Sequence, residues 1–162
     1  MNLLNNKVVR RVTGLAGVAA VAAGTVLAGS APAQASERVY FENNKIRNMC
    51  LDDSNSHHLR MTRCSGNAWQ TWIETRNGGY ITLRNSKTGR CLDHSNSHHM
   101  RTVRCNGGRY QQWLGDRWEP DLLKNRQTGK CVDYSRSHGL RATGCRNVTN
   151  NAYQQWWSYV PS

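Results

Sequence analysis

Beyond residue 35 this 162-residue chain has no long hydrophobic run and no apolar pattern that keeps a helical period for more than one turn. That excludes a helical bundle; the short apolar runs at 39–41, 59–64 and 79–83 read as short strands. There is no GxSxG elbow and no HExxH, so the common serine-hydrolase and metallopeptidase arrangements are missing. The conspicuous aspartates lie about 40 residues apart in different parts of the chain, a poor arrangement for an acid/base pair. The expectation is a non-catalytic protein with no cofactor and no metal. Acids are scarce as well, 10 against 22 lysines and arginines.

What the chain does have is itself three times over. CLDDSNSHHLRMTRC at 50–64 returns as CLDHSNSHHMRTVRC at 91–105 and as CVDYSRSHGLRATGC at 131–145. Each copy runs on to a Gln-x-Trp, ending at Trp72, Trp113 and Trp156. Self-similarity at a fixed period determines architecture before any local prediction is made. An open stack of repeats needs atypical capping units at its ends, and none is present, so a closed threefold arrangement is expected in which the tryptophans share one centre. Closure also removes strand edges. Turn signals at Asn77-Gly78-Gly79, Thr88-Gly89, Asn106-Gly107-Gly108 and Thr128-Gly129 punctuate an all-β chain.

Residues 1–35 differ in kind. Lys7, Arg10 and Arg11 precede an Ala/Gly/Val-rich run that ends in Ala33-Gln34-Ala35, the pattern of a secretory signal cleaved near Ala35. The run is too Gly-rich for a stable transmembrane anchor, which needs about 20 strongly apolar residues. The paired arginines hint at the twin-arginine route without the rest of its motif. A secreted, extracellular domain over 36–162 follows, in repeats of about 36–79, 80–120 and 121–162, with 19 basic and 10 acidic residues. The core of one domain this size is thin.

The six cysteines form pairs 14 residues apart. In an exported protein these read as disulfides, and the absence of any CxxC spacing argues against thiolate zinc. Fifteen pairings are possible in principle. The simplest scheme that respects threefold equivalence is Cys50 with Cys64, Cys91 with Cys105 and Cys131 with Cys145, each loop contributing about 3 kcal/mol in the chain-entropy model.

A repeat of about 40 residues carrying TGxCLD, a second Cys and NGGxYQxW resembles the ricin-type β-trefoil lectin family; Thr88 to Asp93 and Asn106 to Trp113 carry the likeness best. The short cysteine spacing is similar to that of actinohivin-like actinomycete lectins. The resemblance implies a β-trefoil of about twelve strands in three lobes. It implies sugar contacts from Asp52, Asp93 and Asp133, from Gln70, Gln111 and Gln154, from the aromatics Trp69, Tyr110 and Tyr153, and from Asn106 in the second copy. Fold alone does not carry function across.

The polar stretch between the cysteines keeps Asp, two Ser, a His and an Arg in every copy: His57, His98 and His138, then Arg60, Arg101 and Arg141. Local capping by Asp and Ser explains the serines well. It explains the histidines and arginines poorly, and arginine stands where lectins of the resembled family carry Tyr or Gln. A guanidinium fork beside an imidazole suits carboxylate or phosphate oxygens, which points to acidic glycans or glycopolymers. The competing explanation is an internal Asp-Arg ion pair that holds the loop. His57 and His58, as strand neighbours, would face opposite ways and not share a metal. Basic residues are spread through all copies and export makes nucleic acid an implausible partner, despite the interleaved aromatics. Two functions remain: a secreted lectin with up to three weak sites joined for avidity, or a lectin-like adaptor that binds a protein scaffold in a secreted, umbrella-toxin-like particle.

Overall fold

The computed structural model describes residues 36–115, 121–146 and 151–161; the signal segment and its cleavage site lie outside them. The described chain is all-β. The first lobe comprises β1 (Ser36–Asn43), β2 (Met49–Ser54), β3 (His58–Arg63) and β4 (Trp72–Asn77), and the second β5 (Tyr80–Asn85), β6 (Cys91–Ser95), β7 (His99–Val103) and β8 (Trp113–Leu114). The third comprises β9 (Asp121–Leu122), β10 (Lys124–Asn125), β11 (Lys130–Ser135), β12 (Gly139–Gly144) and β13 (Gln155–Tyr159). Because β9 and β10 are one strand interrupted at Leu123, the architecture is that of twelve strands, four per lobe.

The first and fourth strands of the lobes make an antiparallel barrel. Around it run β1–β4, β4–β5, β5–β8, β8–β10 and β13–β1, closed by the pairing of β9 with β13. Inward residues follow the strand period of two: Val39, Phe41 and Asn43 on β1, and Ile81, Leu83 and Asn85 on β5, are buried in turn. The remaining strands form three hairpins, β2–β3, β6–β7 and β11–β12.

The three tryptophans meet in the centre, each fully buried. Their indole N–H groups donate to the carbonyls of Leu51, Leu92 and Val132, in every case at 3.1 Å, so a large apolar ring is buried without leaving its one polar atom unpaired. The three disulfides close within their own lobes as threefold equivalence requires, and no cysteine is free among the described residues.

Candidate functional site

Each hairpin carries one row of polar side chains, and the same residues recur in all three. Asp52, Asp93 and Asp133 are buried on the first strand, directly across from Arg60, Arg101 and Arg141 on the second. Arginine Nε donates to aspartate Oδ1 at 2.9, 2.8 and 2.9 Å. The internal ion pair is therefore present in every lobe. It does not use up the guanidinium: Nε makes its only hydrogen bond among the described residues, and the arginine side chains remain 39%, 35% and 41% exposed. A buried carboxylate fixes the fork while its terminal nitrogens stay open.

The stretch between the cysteines is mostly strand, with a tight turn at its middle. Ser54, Ser95 and Ser135 accept the backbone N–H of the histidine three residues on, at 3.0, 3.1 and 3.2 Å. This is the local capping that serine supplies. Ser56, Ser97 and Ser137 then sit 2.8, 2.9 and 2.9 Å from Nδ1 of His57, His98 and His138. With Nδ1 held, Nε2 is the ring nitrogen left for a ligand. The expectation that His57 and His58 are strand neighbours does not hold, because His57 is in the turn and His58 opens β3 with φ +54°. His99 repeats this at φ +55°, and the third lobe has Gly139 there at φ +68°. Among the described residues no three His, Cys, Asp or Glu side chains gather as a metal site would require.

The glutamines, for which the resemblance implies sugar contacts, turn both ends of their amides to the backbone. Gln70, Gln111 and Gln154 are buried, and Oε1 accepts the backbone N–H of Ser65, Asn106 and Arg146 at 2.7, 2.8 and 2.9 Å. At the other end Nε2 donates to the carbonyls of Arg63, Arg104 and Gly144 at 2.8, 3.0 and 3.0 Å. One amide thus clamps both flanks of the second cysteine. Its polar atoms face the backbone, as buried amides must find partners. The Asn106 Oδ1 caps its own turn by accepting Gly108 N–H at 2.8 Å.

Trp69, Tyr110 and Tyr153 lie just before these glutamines, partly exposed. They are held by a set of residues that the sequence comparison passed over. Asn85, Asn125 and Asn43, each buried at the end of the next lobe's first strand, donate Nδ2–H to the carbonyls of Trp69, Tyr110 and Tyr153 at 2.7, 2.8 and 3.0 Å. Their Oδ1 atoms accept backbone N–H groups from the following turns, at Thr88, Thr128 and Ile46. The available signal was an asparagine at nearly constant distance before the first cysteine of every copy.

These parts enclose open polar cavities. In the first lobe, one of about 460 Å³ is lined by Asp52, His57, Arg60, Arg63, Ser65 and Trp69 among others. In the third, one of about 310 Å³ is lined by Asp133, His138, Arg141, Arg146, Asn151 and Tyr153 among others. The serine pairs and Thr62 or Thr143 complete the walls. Hydrogen-bonding groups of both signs line each cavity, beside one aromatic face.

Behind the pocket row, the next residue of each first hairpin strand turns to the neighbouring lobe. There the lobes differ. Asp53, fully buried, receives Nε and Nη2 of Arg90 at 3.1 and 2.8 Å, and the hydroxyls of Thr88 and Thr102. His94, 1% exposed, places Nδ1 2.8 Å from Thr128 Oγ1. Burial pushes its pKa below the ordinary value, Lys130 and His99 add to that, and Asp93 opposes it. Tyr134 has the third equivalent place.

The family model for the ricin-type beta-trefoil lectin domain matches residues 33–113, half of the chain. No curated relative matches. Among solved structures, the chain is similar to a Polyporus squamosus lectin bound to a human-type influenza-binding epitope, Neu5Aca2-6Galb1-4GlcNAc, with TM-score 0.63 and 20% identity over 78% of this chain and 50% of that one. It thus spans half that lectin's length. It is also similar to ThreeFoil, a designed threefold-symmetric protein, with TM-score 0.64 and 20% identity over 75% of this chain and 96% of that one. SeviL, solved with asialo-GM1 saccharide, gives TM-score 0.63 at 14% identity over 79% of this chain and all of that one.

Proposed function

Since the chain belongs to the ricin-type beta-trefoil lectin domain family, we propose that it is a secreted, non-catalytic carbohydrate-binding protein with one weak site per lobe, selective for acidic glycans or glycopolymers. The observation that carries the carbohydrate-binding reading is the row Asp, Ser, His and Arg repeated in three hairpins, which in the first and third lobes faces a cavity with an aromatic side chain at the rim. The paired aspartate and the open end of the guanidinium offer acceptor and donor side by side, which suits vicinal hydroxyls; the imidazole Nε2 adds a third group. An exposed Tyr110 or Tyr153 supplies the flat surface against which a sugar's C–H face can lie. The 14-residue cysteine spacing supports placing the chain near the actinohivin-like lectins.

Three such sites on a rigid body raise avidity for a polymer far above that of one site, by about 10² to 10⁴ when the geometry permits simultaneous engagement. A glycan array run with the unaltered chain and with Asp52→Ala, Asp93→Ala and Asp133→Ala tests the reading. Stepwise loss of signal across the single variants and their combinations is the expected result. Unchanged binding by the folded triple variant would remove the pockets from consideration.

A further inference from the structure

The Asp-Arg pairs cannot by themselves select an acid, because each is electrically neutral. A carboxylate or phosphate entering the pocket meets Asp52 as well as Arg60, and the two nearly cancel at the distance of a bound group. Selection for anions needs a second positive charge, one that no buried carboxylate neutralises.

Such a charge is present at the clamped flanks of the second cysteine. In the first lobe Arg63, exposed, lines the cavity and precedes Cys64. In the second, Arg104 has the same place and is likewise exposed. The third lobe has Gly144 there, yet Arg146 enters the cavity from the other side of Cys145. None of the three is ion-paired among the described residues. The glutamine amide binds the carbonyl of one flank and the N–H of the other, so both flanks are held at the same pocket edge. Arg63 and Ser65 both line the first cavity, which demonstrates that either flank can reach it. The charge is thus kept in each copy while its position in the sequence is not.

We infer that the residues flanking the second cysteine form an oxyanion subsite in each lobe, where Arg63, Arg104 and Arg146 recognise the carboxylate or phosphate of an acidic sugar bound in the adjoining pocket. This rests on the carbohydrate-binding reading. Arginine suits the task because it keeps its charge at any pH of interest and meets such groups with two parallel N–H donors. The neutral pair beneath serves the hydroxyls; the flanking arginine discriminates.

The test measures binding to three immobilised polymers of similar length: polygalacturonate, poly(glycerol phosphate) and neutral mannan or galactan. The variants are the triple Arg63→Gln/Arg104→Gln/Arg146→Gln and a control triple, Arg38→Gln/Arg84→Gln/Lys124→Gln, which removes as many charges from exposed positions outside the cavities. The inference expects the first triple to lose at least about tenfold on one or both acidic polymers, with neutral binding held, and the control to lose less than about threefold. The polygalacturonate and poly(glycerol phosphate) arms separate carboxylate from phosphate. Equal losses in both triples, or an unchanged acid-to-neutral ratio in the first, would overturn the subsite while leaving the lectin reading in place. Failure of the unaltered, folded protein to bind any sugar, acidic or neutral, would overturn both.

Discussion

Asp52 and Asp53 are neighbours on one strand, and both are buried carboxylates paired with arginine, but they belong to different parts of the molecule. Asp52 pairs within its own hairpin, with an arginine 39% exposed, and recurs in all three lobes. Asp53 pairs across a lobe boundary with Arg90, 24% exposed, and is replaced by His94 and Tyr134 in the other copies. Alternation of side chains along a strand separates the two roles within a single residue step. The face that repeats is the one open to a ligand. The face that varies fits one lobe to a particular neighbour, Asp53 to Thr88 and Arg90, His94 to Thr128. On this strand the repeated residue belongs to the open pocket row and the varied one to the joint between lobes.

The sharpest way to break this comparison is to remove each carboxylate in turn. Asp53→Ala removes the carboxylate that neutralises the largely buried Arg90 guanidinium, which keeps only the Ser54 carbonyl, and that accepts the hydroxyls of Thr88 and Thr102. It should lower unfolding stability by about 3 kcal/mol, as unpairing a buried charge does. Asp52→Ala leaves Arg60 free to hydrate, so its cost should stay near or below about 1 kcal/mol. Urea denaturation of both measures the difference. Equal losses would mean that the pocket pair is as structural as the boundary pair.

The asparagine latches come next. Asn85→Ala takes the side-chain acceptor from the N–H groups of Lys87 and Thr88 and removes one of the two donors to the Trp69 carbonyl, which keeps Asp53 N–H, at the boundary of the first two lobes. A loss of about 2 kcal/mol is expected by the usual penalty for unmade buried hydrogen bonds. The loss should appear as a lower denaturation midpoint; a change below about 0.5 kcal/mol would show that water replaces the latch.

A third contrast is in pH. With its folded pKa held below the ordinary 6.5 by burial, His94 is protonated more readily in the unfolded chain. Its contribution is complete above 6.5 and is lost as pH falls through the folded value. Stability should therefore decline on the acid side, and His94→Gln should flatten that decline. An identical slope in the variant would remove His94 as its cause.

The smallest effect concerns the hairpin tips. His58 and His99 take a left-handed backbone that Gly139 occupies without strain. His99→Gly should raise stability by roughly 1 kcal/mol, the lower end for a relieved non-glycine residue in that region. A lower melting temperature in that variant would mean that the side chain contributes more than the strain costs.

Much of this was legible from repetition alone. The strands at 39–41, 59–64 and 79–83, the pairing of the cysteines and the central tryptophans follow from threefold equivalence and alternation. The glutamines repeat as visibly, yet their amides could have faced sugar or backbone, and only hydrogen-bond geometry distinguishes the two. Asp53, His94 and Tyr134 were hidden for the opposite reason: a search for identities passes over positions whose role is to differ. His57 and His58 looked like strand because a left-handed residue other than glycine leaves little trace in sequence. The second arginine escaped notice because it moves from one side of the cysteine to the other between lobes.

The most direct test of the account is an amide NMR titration with a monomeric uronic acid. Shifts should concentrate at the pocket rows of all three hairpins, around His57 to Ser65, His98 to Asn106 and His138 to Arg146, while the amides of Asp53, Thr88 and Arg90 stay still. Shifts confined to the lobe boundaries, or absent from the pocket rows at saturating sugar, would contradict it.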